Sequence, residues 1–228
     1  EHVGLFLEDH RVARLSVRSE GDLVAHRSAR HEHGRLHSHS LGRYPFELLQ
    51  NANDAALDSG RVGRVRFVLS ETALLVADNG SGFHEDQVRA ICGLGRSSKD
   101  PRKSVGYKGL GFKSVGEITT QPQILSSGAS FEFDERRVSL EVRGAAGTLA
   151  PKQRLPVYAF PFTITSASLG PDQAIAEAAL AEGFSTVLRL PLTPGVRRSD
   201  VESHLAETLL PRLLLFLAGV NELELQGT

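Results

Sequence analysis

The pattern of apolar and polar positions predicts a regular helix beginning near Pro45. Proline is tolerated in the first turn of a helix, where its missing N–H has no partner in any case. Residues 46–57 are mostly good helix formers, and Ser59 and Gly60 follow as a stop signal. The stretch therefore predicts a helix of about four turns.

The next segment predicts two strands joined as a hairpin. Val65, Phe67 and Leu69 alternate with polar residues, which is the period of a half-buried strand. Residues 73–77 are apolar throughout and predict a strand that is buried on both faces. The three residues between these runs are expected to form the turn.

Weaker patterns predict the remaining elements. Spacing between Leu5 and Val17 predicts a helix followed by a polar loop. Residues 95–109 show no apolar period and predict a loop, and residues 151–169 are expected to be irregular. The other predicted helices cover 84–94, 111–117, 173–181 and 201–217, the last interrupted at Pro211, and the other predicted strands cover 123–126, 130–133, 138–142, 186–190 and 222–226.

These elements predict an α/β (α+β) two-layer sandwich, with a mixed, mostly antiparallel sheet and helices on one face. We expect residues 1–43 to form an N-terminal helical and loop extension and residues 44–228 to form one domain. The chain contains no Met, so we expect it to be part of a longer protein.

Composition narrows the function. The 228 residues carry 26 Lys and Arg against 27 Asp and Glu, so no chain-wide basic field exists to attract nucleic acid or an anionic membrane. Cys92 is the single cysteine and no apolar run reaches the roughly 18 residues of a membrane span. We expect a cytoplasmic protein with no membrane partner. Five histidines lie in 26–39, and we interpret them as a solvated segment because no cysteine or carboxylate cluster completes a metal site there.

Three short motifs carry polar chemistry. Glu47, Asn51 and Asp54 stand at i, i+4 and i+7 on the first predicted helix, and so share one stripe. Asp78, directly after a buried strand, is followed by Gly80 and Gly82, which let a ligand approach the backbone closely. Each motif alone has a plain alternative, a solvated helix face for the first and an ordinary turn for the second.

The third motif is a glycine-rich stretch that leads into a predicted helix at Gly111. Glycines at such a junction expose backbone N–H groups, and the helix dipole favours an anion such as a phosphate. Phe112 stands where a Walker A loop needs lysine, and Ser114 where the dinucleotide fingerprint needs its third glycine. Neither common nucleotide motif fits.

In this order and spacing the motifs resemble the ATP site of the GHKL (Bergerat-fold) superfamily, which includes Hsp90, type II topoisomerases, MutL and histidine kinases. A fourth motif is expected at residues 185–190. Within the superfamily, the sequence looks most like the Hsp90-like N-terminal ATP-binding domains of sacsin and no-vein type proteins. The resemblance covers about residues 44–226.

The resemblance implies a role for each matching residue. Glu47 would polarise the attacking water, Asn51 would bind Mg²⁺ together with the ATP phosphates, and Asp54 would line the pocket. Asp78 would accept a hydrogen bond from the adenine amine, with Thr186 in support. The other implied nucleotide contacts are a lid over residues 95–104 with Lys99, the glycines Gly80 and Gly82 beside the base, and the phosphate loop Gly106, Lys108, Gly109, Leu110, Gly111 and Phe112.

The implied function is Mg²⁺-dependent binding and slow hydrolysis of ATP that drives a switch of the lid or of a partner, as in a chaperone-like or regulatory ATPase. Expected partners are ATP or ADP, a protein or further domains of the same chain, and a nucleotide-dependent dimer. One alternative is an ATP-gated module without hydrolysis that could contact a polyanion through Arg64 and Arg66 or through Arg197 and Arg198. Another is a histidine kinase core, but His37 and His39 lack the dimerisation helices that this reaction needs.

Overall fold

The computed structural model describes residues 2–6, 12–18, 42–92, 112–146 and 157–227. Within these ranges the chain forms one sheet and several helices. The strands are β1 (His2–Phe6), β2 (Val12–Arg18), β3 (Gly63–Leu69), β4 (Ala73–Asp78), β5 (Gln123–Ser126), β6 (Phe131–Glu132), β7 (Phe162–Thr163), β8 (Thr186–Pro191) and β9 (Val220–Gly227). The α-helices are α1 (Tyr44–Ser59), α2 (Glu85–Ile91), α3 (Glu135–Ala146), α4 (Ser166–Leu169), α5 (Gln173–Ala181) and α6 (Arg198–Thr208), with 3₁₀ helices at Phe112–Glu117, Val157–Ala159, Gly170–Asp172 and Pro211–Phe216.

The sheet is mixed and mostly antiparallel, as the sequence predicts. Its strand order is β1-β2-β9-β3-β4-β8-β5-β6-β7. β9 runs parallel to both of its neighbours, β2 and β3, and the other neighbouring pairs are antiparallel. The predicted α+β sandwich is therefore confirmed, although helices pack on both faces of the sheet rather than on one. No helix in the described part of the chain is long and apolar enough to cross a membrane.

Helix α1 forms where the sequence predicts it. Pro45 lies in its first turn, and Gly60 ends it in a left-handed conformation with φ of 66°. The N–H of Gly60 donates to the carbonyl of Leu57, which satisfies one of the last free carbonyls of the helix. Tyr44 and Leu49 are fully buried, so this helix is anchored on the sheet by its apolar side.

The two faces of the sheet bury separate apolar clusters. Leu74 and Val76 of β4 pack with Leu48 and Leu49 of α1, and α6 covers the same face. The intervening residues of β4 pack on the opposite face, where the shorter α5 contributes Ala176. This alternation explains why β4 has a continuous apolar sequence, since both of its faces are covered.

The predicted helix between Leu5 and Val17 is wrong, because these residues lie in β1 and β2. Leu15 and Val17 alternate with polar residues, a period of two that the weaker helical spacing obscured. β2 is held by backbone pairing with β9, which lies about 200 residues away in the sequence. No pattern within the sequence of β2 indicates that β9 is its partner. The boundary at residues 43 and 44 stays a prediction.

The predicted strand at 138–142 is also wrong, because it lies within α3. Asp134 precedes this helix, and its carboxylate accepts from the N–H of Arg137 at 3.0 Å, as a helix-capping residue does. Val138 is buried whereas Leu140 is exposed, so the apparent period of two did not correspond to one buried face. The capping aspartate was the more reliable signal.

Arg64 and Arg66 lie on the sheet face away from α1, and their charges are partnered. Arg64 pairs with Glu222 of β9 at 3.3 Å, and Arg66 forms an ion pair with Glu224 two residues along the same strand. Both guanidinium groups also lie 4.8 Å from the ring centre of Phe184. These partners weaken the alternative in which the two arginines contact a polyanion.

The two arginines form a matched pair for a stability test. The Arg66 side chain is 10% exposed and that of Arg64 is 34% exposed, while both stack on Phe184. Removing Arg66 leaves the buried Glu224 carboxylate unpaired, so we expect Arg66→Met to lower the free energy of unfolding by about 3 kcal/mol. Arg64→Met should lower it by less than about 1 kcal/mol. Urea denaturation measures both, and equal losses would contradict this account.

Candidate functional site

The candidate site begins with a row of paired residues at one end of the sheet. Asp78 of β4 is paired with Val65 of β3 on one side and with Thr186 of β8 on the other. Thr186 is in turn paired with Ser126 of β5. Directly paired residues point to the same face of a sheet. Because Val76, two residues before Asp78, packs with α1, the whole row lies on the α1 face.

The turn after Asp78 packs directly against α1. A Cβ atom added to Gly80 would lie 2.5 Å from the Cβ of Ala55 and 2.7 Å from its carbonyl carbon. The N–H of Ser81 donates to the carbonyl of Ala55 at 3.1 Å. Only glycine fits at position 80, and this contact brings the second sequence motif onto the helix that carries the first.

The contact lies on the same stripe of α1 as two of the predicted site residues. Glu47, Asn51 and Ala55 stand at i, i+4 and i+8 and therefore share one side of the helix. Asn51 is about 6 Å and Glu47 about 12 Å from Ala55 along the helix axis. Asn51 is exposed and Glu47 is partly buried. The Asp78 turn thus touches one end of a polar stripe that has Glu47 at its other end.

The end of the third motif packs beside the first turn of α1. The 3₁₀ helix Phe112–Glu117 contacts α1, and the carboxylate of Glu117 accepts from the N–H of Gly42 at 2.7 Å, two residues before α1 begins. The ring of Phe112 is buried between those of Phe133 and Tyr158. The side chain of Phe112 therefore packs in the core, and any contact of this residue with a nucleotide would have to come from its backbone.

Several predicted site residues lie outside the described residues. They are Lys99, Gly106, Lys108, Gly109, Leu110 and Gly111, together with the rest of the predicted lid over residues 95–104 and the histidine-rich segment 26–39. Their assigned roles stay predictions.

Asp78 is a desolvated carboxyl group at the start of the turn that packs against α1. Burial raises its pKa to about 6, and a hydrogen bond from the N–H of Gly80 to Oδ1, at 2.9 Å, opposes part of that rise. Among the described residues, no other group donates to this carboxyl and no cation pairs with it. A donor that reached Oδ2 would therefore relieve an unfavourable burial.

Asp54 lies on the neighbouring side of α1 and is also perturbed. Burial raises the pKa of its carboxyl, and the charge of Asp58 one turn later raises it further. The side-chain amide of Asn53 donates to Asp54 at 3.4 Å and opposes these effects. The oxygen of the same amide accepts from the N–H of Gly219 at 2.8 Å, so Asn53 is held in place. A partly desolvated acid here fits the wall of a polar pocket.

Thr186 is buried beside Asp78, but its hydroxyl makes no hydrogen bond to Asp78 in the described part of the structure. The hydroxyl contacts with the turn after Asp78 come instead from Ser185 and Ser126, to which the sequence assigned no individual role. Ser185 donates its hydroxyl to the carbonyl of Gly80 at 2.8 Å, and Ser126 accepts from the N–H of Phe83 at 2.9 Å. Ser185 is the first residue of the expected fourth motif, whereas the only sequence signal of Ser126 is a small hydroxyl residue at a strand end.

A cavity of about 270 Å³ lies elsewhere in the molecule. It opens between α6, the following 3₁₀ helix and the ends of β3 and β9, near Leu69 and Gly227. Leu69 is four residues along β3 from Val65, or about 13 Å from the Asp78 row. None of the predicted site residues lines this cavity. In the described ranges, no group of three or more His, Cys, Asp or Glu side chains is placed to hold a metal ion.

Comparison with known proteins gives one informative similarity. No model of a known protein family matches the chain. A stretch of 90 residues is 38% identical to Protein NO VEIN of Arabidopsis thaliana. That stretch covers 39% of this chain and 3% of the plant protein, so it compares a small part of a much longer molecule. The chain is thus similar in part to a protein of the no-vein type.

The raised pKa of Asp78 predicts a specific pH dependence of stability. An aspartate that titrates near 3.8 when unfolded and near 6 when folded favours the folded state most at low pH, where it is protonated. This contribution is lost as the pH rises through about 6. We expect Asp78→Asn to be more stable than the parent by about 1–3 kcal/mol at pH 7.5, with the difference vanishing near pH 4. Urea denaturation at several pH values tests this, and a constant difference would contradict it.

Proposed function

We propose that this protein binds ATP with Mg²⁺ between α1 and the Asp78 end of the sheet, hydrolyses it slowly, and belongs to the GHKL superfamily. The observation that carries the proposal is the contact of Gly80 with Ala55. It sets Asp78 at one end of the stripe that runs through Asn51 to Glu47. A nucleotide whose adenine base is bound at Asp78 would extend its phosphates along α1 toward Glu47 and the end of the glycine-rich motif.

The base end of the proposed site selects adenine. The exocyclic amine of adenine would donate to the free oxygen of Asp78. Guanine presents a carbonyl oxygen at the corresponding position and would leave the partly buried carboxylate facing an acceptor. Such a mismatch costs about 1–3 kcal/mol. The turn that follows Asp78 requires glycine at position 82, because the φ of 77° there belongs to a region that residues with a Cβ rarely adopt.

The middle of the stripe suits a magnesium ion held jointly by protein and nucleotide. Asn51 is exposed on the stripe, and its side-chain oxygen is a hard, neutral donor of the kind that Mg²⁺ accepts. The bound ion would neutralise charge on the phosphate oxygens during transfer. Asn51 would orient these oxygens, and a single protein ligand is sufficient because Mg²⁺ keeps several of its waters.

Glu47 is proposed as the general base. It lies one turn before Asn51, so a water held between it and the terminal phosphate could give up a proton to the Glu47 carboxylate. The hydroxide formed would attack phosphorus as the bond to the leaving ADP oxygen breaks. The partial burial of Glu47 limits competition from bulk water.

Slow turnover and a conformational role follow from the resemblance. Related Hsp90-type ATPases receive a Lys or Arg from a following domain, and a cation stabilises the charge that develops on the transferred phosphoryl group. We infer that ATP orders the lid and alters a partner or dimer interface, and that hydrolysis reverses the change. The partial similarity to Protein NO VEIN supports the resemblance to no-vein type proteins.

Nucleotide titration tests the contact between the adenine base and Asp78. We expect calorimetry to show that ATP binds more tightly with Mg²⁺ than without, and at least tenfold more tightly than GTP. Asp78→Asn should weaken ATP binding at least tenfold, because an amide is a poorer acceptor than a carboxylate and can present its NH₂ group to the base. The matched control is Glu177→Gln, which neutralises an exposed acid on α5, on the opposite face of the sheet. Equal ATP affinity in the parent and in Asp78→Asn would rule out the contact.

The rate of ATP hydrolysis tests whether Glu47 is the general base. Glu47→Gln should lower kcat at least 100-fold while the affinity for ATP stays within about twofold, because the amide cannot accept the proton from water. Phosphate release under saturating ATP measures this, again with Glu177→Gln as the control. Hydrolysis that survives in Glu47→Gln would remove Glu47 from the mechanism. Tight ATP binding without hydrolysis in the parent would favour the non-hydrolysing module instead.

A further inference from the structure

Ser185 makes an unusual set of contacts with the turn that carries Asp78. Its N–H donates to the carbonyl of Asp78 at 2.8 Å. Its hydroxyl donates to the carbonyl of Gly80 at 2.8 Å and also lies 3.2 Å from the carbonyl of Asp78. One side chain therefore joins the backbone on both sides of Asn79 to the start of β8.

A second serine extends this arrangement to β5. The hydroxyl of Ser126 donates to the carbonyl of Ser185 at 3.1 Å and accepts from the N–H of Phe83 at 2.9 Å. Gly82 has a positive φ and packs closely against this hydroxyl. A Cβ added to Gly82 would lie only 3.0 Å from the Ser126 oxygen. The turn from Asp78 to Phe83 is thus held at its start by Ser185 and at its end by Ser126.

The other two sides of the turn are held by contacts with β3 and α1. The side-chain oxygen of Asn79 accepts from the N–H of Arg64 at 2.7 Å, and the backbone N–H of Asn79 donates to the carbonyl of Arg64 at 3.3 Å. Ser81 donates to Ala55 of α1. Among these contacts, the hydroxyl of Ser185 is the one that holds the carbonyl of Gly80.

The residue before Ser185 is itself fixed. Phe184 is buried, and its ring is contacted by the guanidinium groups of Arg64 and Arg66. Arg66 also bonds to Glu182 at 2.7 Å, at the end of α5. The backbone that presents the Ser185 hydroxyl therefore starts from a rigid support, so little conformational entropy opposes the hydrogen bond.

We propose that Ser185 is a positioning residue, which holds the Asp78 turn in the geometry that discriminates adenine from other bases. The proposal rests on the proposed function. A carboxylate selects a hydrogen-bond donor sharply only when its oxygen is held within about 0.5 Å of the required position. Without the Ser185 hydroxyl, Gly80 and the carboxylate that it contacts gain freedom, and a mispositioned base is tolerated.

The experiment first uses the nucleotide-free protein. Amide hydrogen exchange followed by NMR should be roughly tenfold faster at Gly80 and Ser81 in Ser185→Ala, because the local opening of this turn becomes easier. Ser185→Thr keeps the hydroxyl and should restore the protection. The matched control is Thr193→Val, which removes a hydroxyl bonded to the carbonyl of Ile118 at 3.1 Å beyond the other end of β8. It should leave exchange in the turn unchanged.

The second readout is the ratio of GTP to ATP dissociation constants. We expect Ser185→Ala to reduce this ratio about fivefold or more and Ser185→Thr to restore it, whereas Thr193→Val keeps the parent ratio even if it lowers the melting temperature. Unchanged exchange at Gly80 and Ser81 in Ser185→Ala would overturn the positioning role whatever the nucleotide data show. Faster exchange with an unchanged ratio would overturn the link to base selection. A parent protein that binds neither nucleotide would instead contradict the proposed function, and base selection with it.

Discussion

The close contact between Gly80 and Ala55 is the constraint on which the rest of the site depends. It requires a residue without a Cβ at the turn and a small residue on the helix, and it sets the distance between α1 and the end of β4. Packed protein interiors transmit such a constraint because they contain little free volume. The polar stripe of α1 and the Asp78 carboxyl are therefore placed relative to each other by the backbone, with no direct bond between them.

The region around Asp78 lowers the free energy of unfolding. The Asp78 carboxyl is desolvated and its described partner is one backbone N–H, an arrangement that weakens the folded state at neutral pH. The buried Arg189 differs from Asp78 in this respect, because it forms an ion pair with Asp172 and a hydrogen bond with Gln123 beneath α5. A desolvated acid without a cation partner is a candidate for contact with a ligand.

The sequence predicted those parts of the fold that local patterns determine. α1 is marked by Pro45 and Gly60, and the β3–β4 hairpin by alternation and a continuous apolar run. Two elements were missed for different reasons. β2 is a strand because the distant β9 pairs with it, a case in which tertiary context overrides a weak local pattern. α3 was missed because its apolar residues alternate, although Asp134 supplies a local capping signal directly before it.

The candidate site shows the same division. Glu47, Asn51 and Asp78 could be singled out because their spacing resembles a known motif. The role of Ser185 could not be predicted, because it depends on which carbonyl its hydroxyl bonds to in the folded chain. The strand order adds a consequence for how the chain acquires its structure. β9, the last described strand in sequence, lies between β2 and β3, so the hairpin of β1 and β2 cannot join the sheet until the ribosome has synthesised the chain as far as β9. Folding should consequently be slow, with the edge of β3 open to unwanted pairing until the ribosome has released β9.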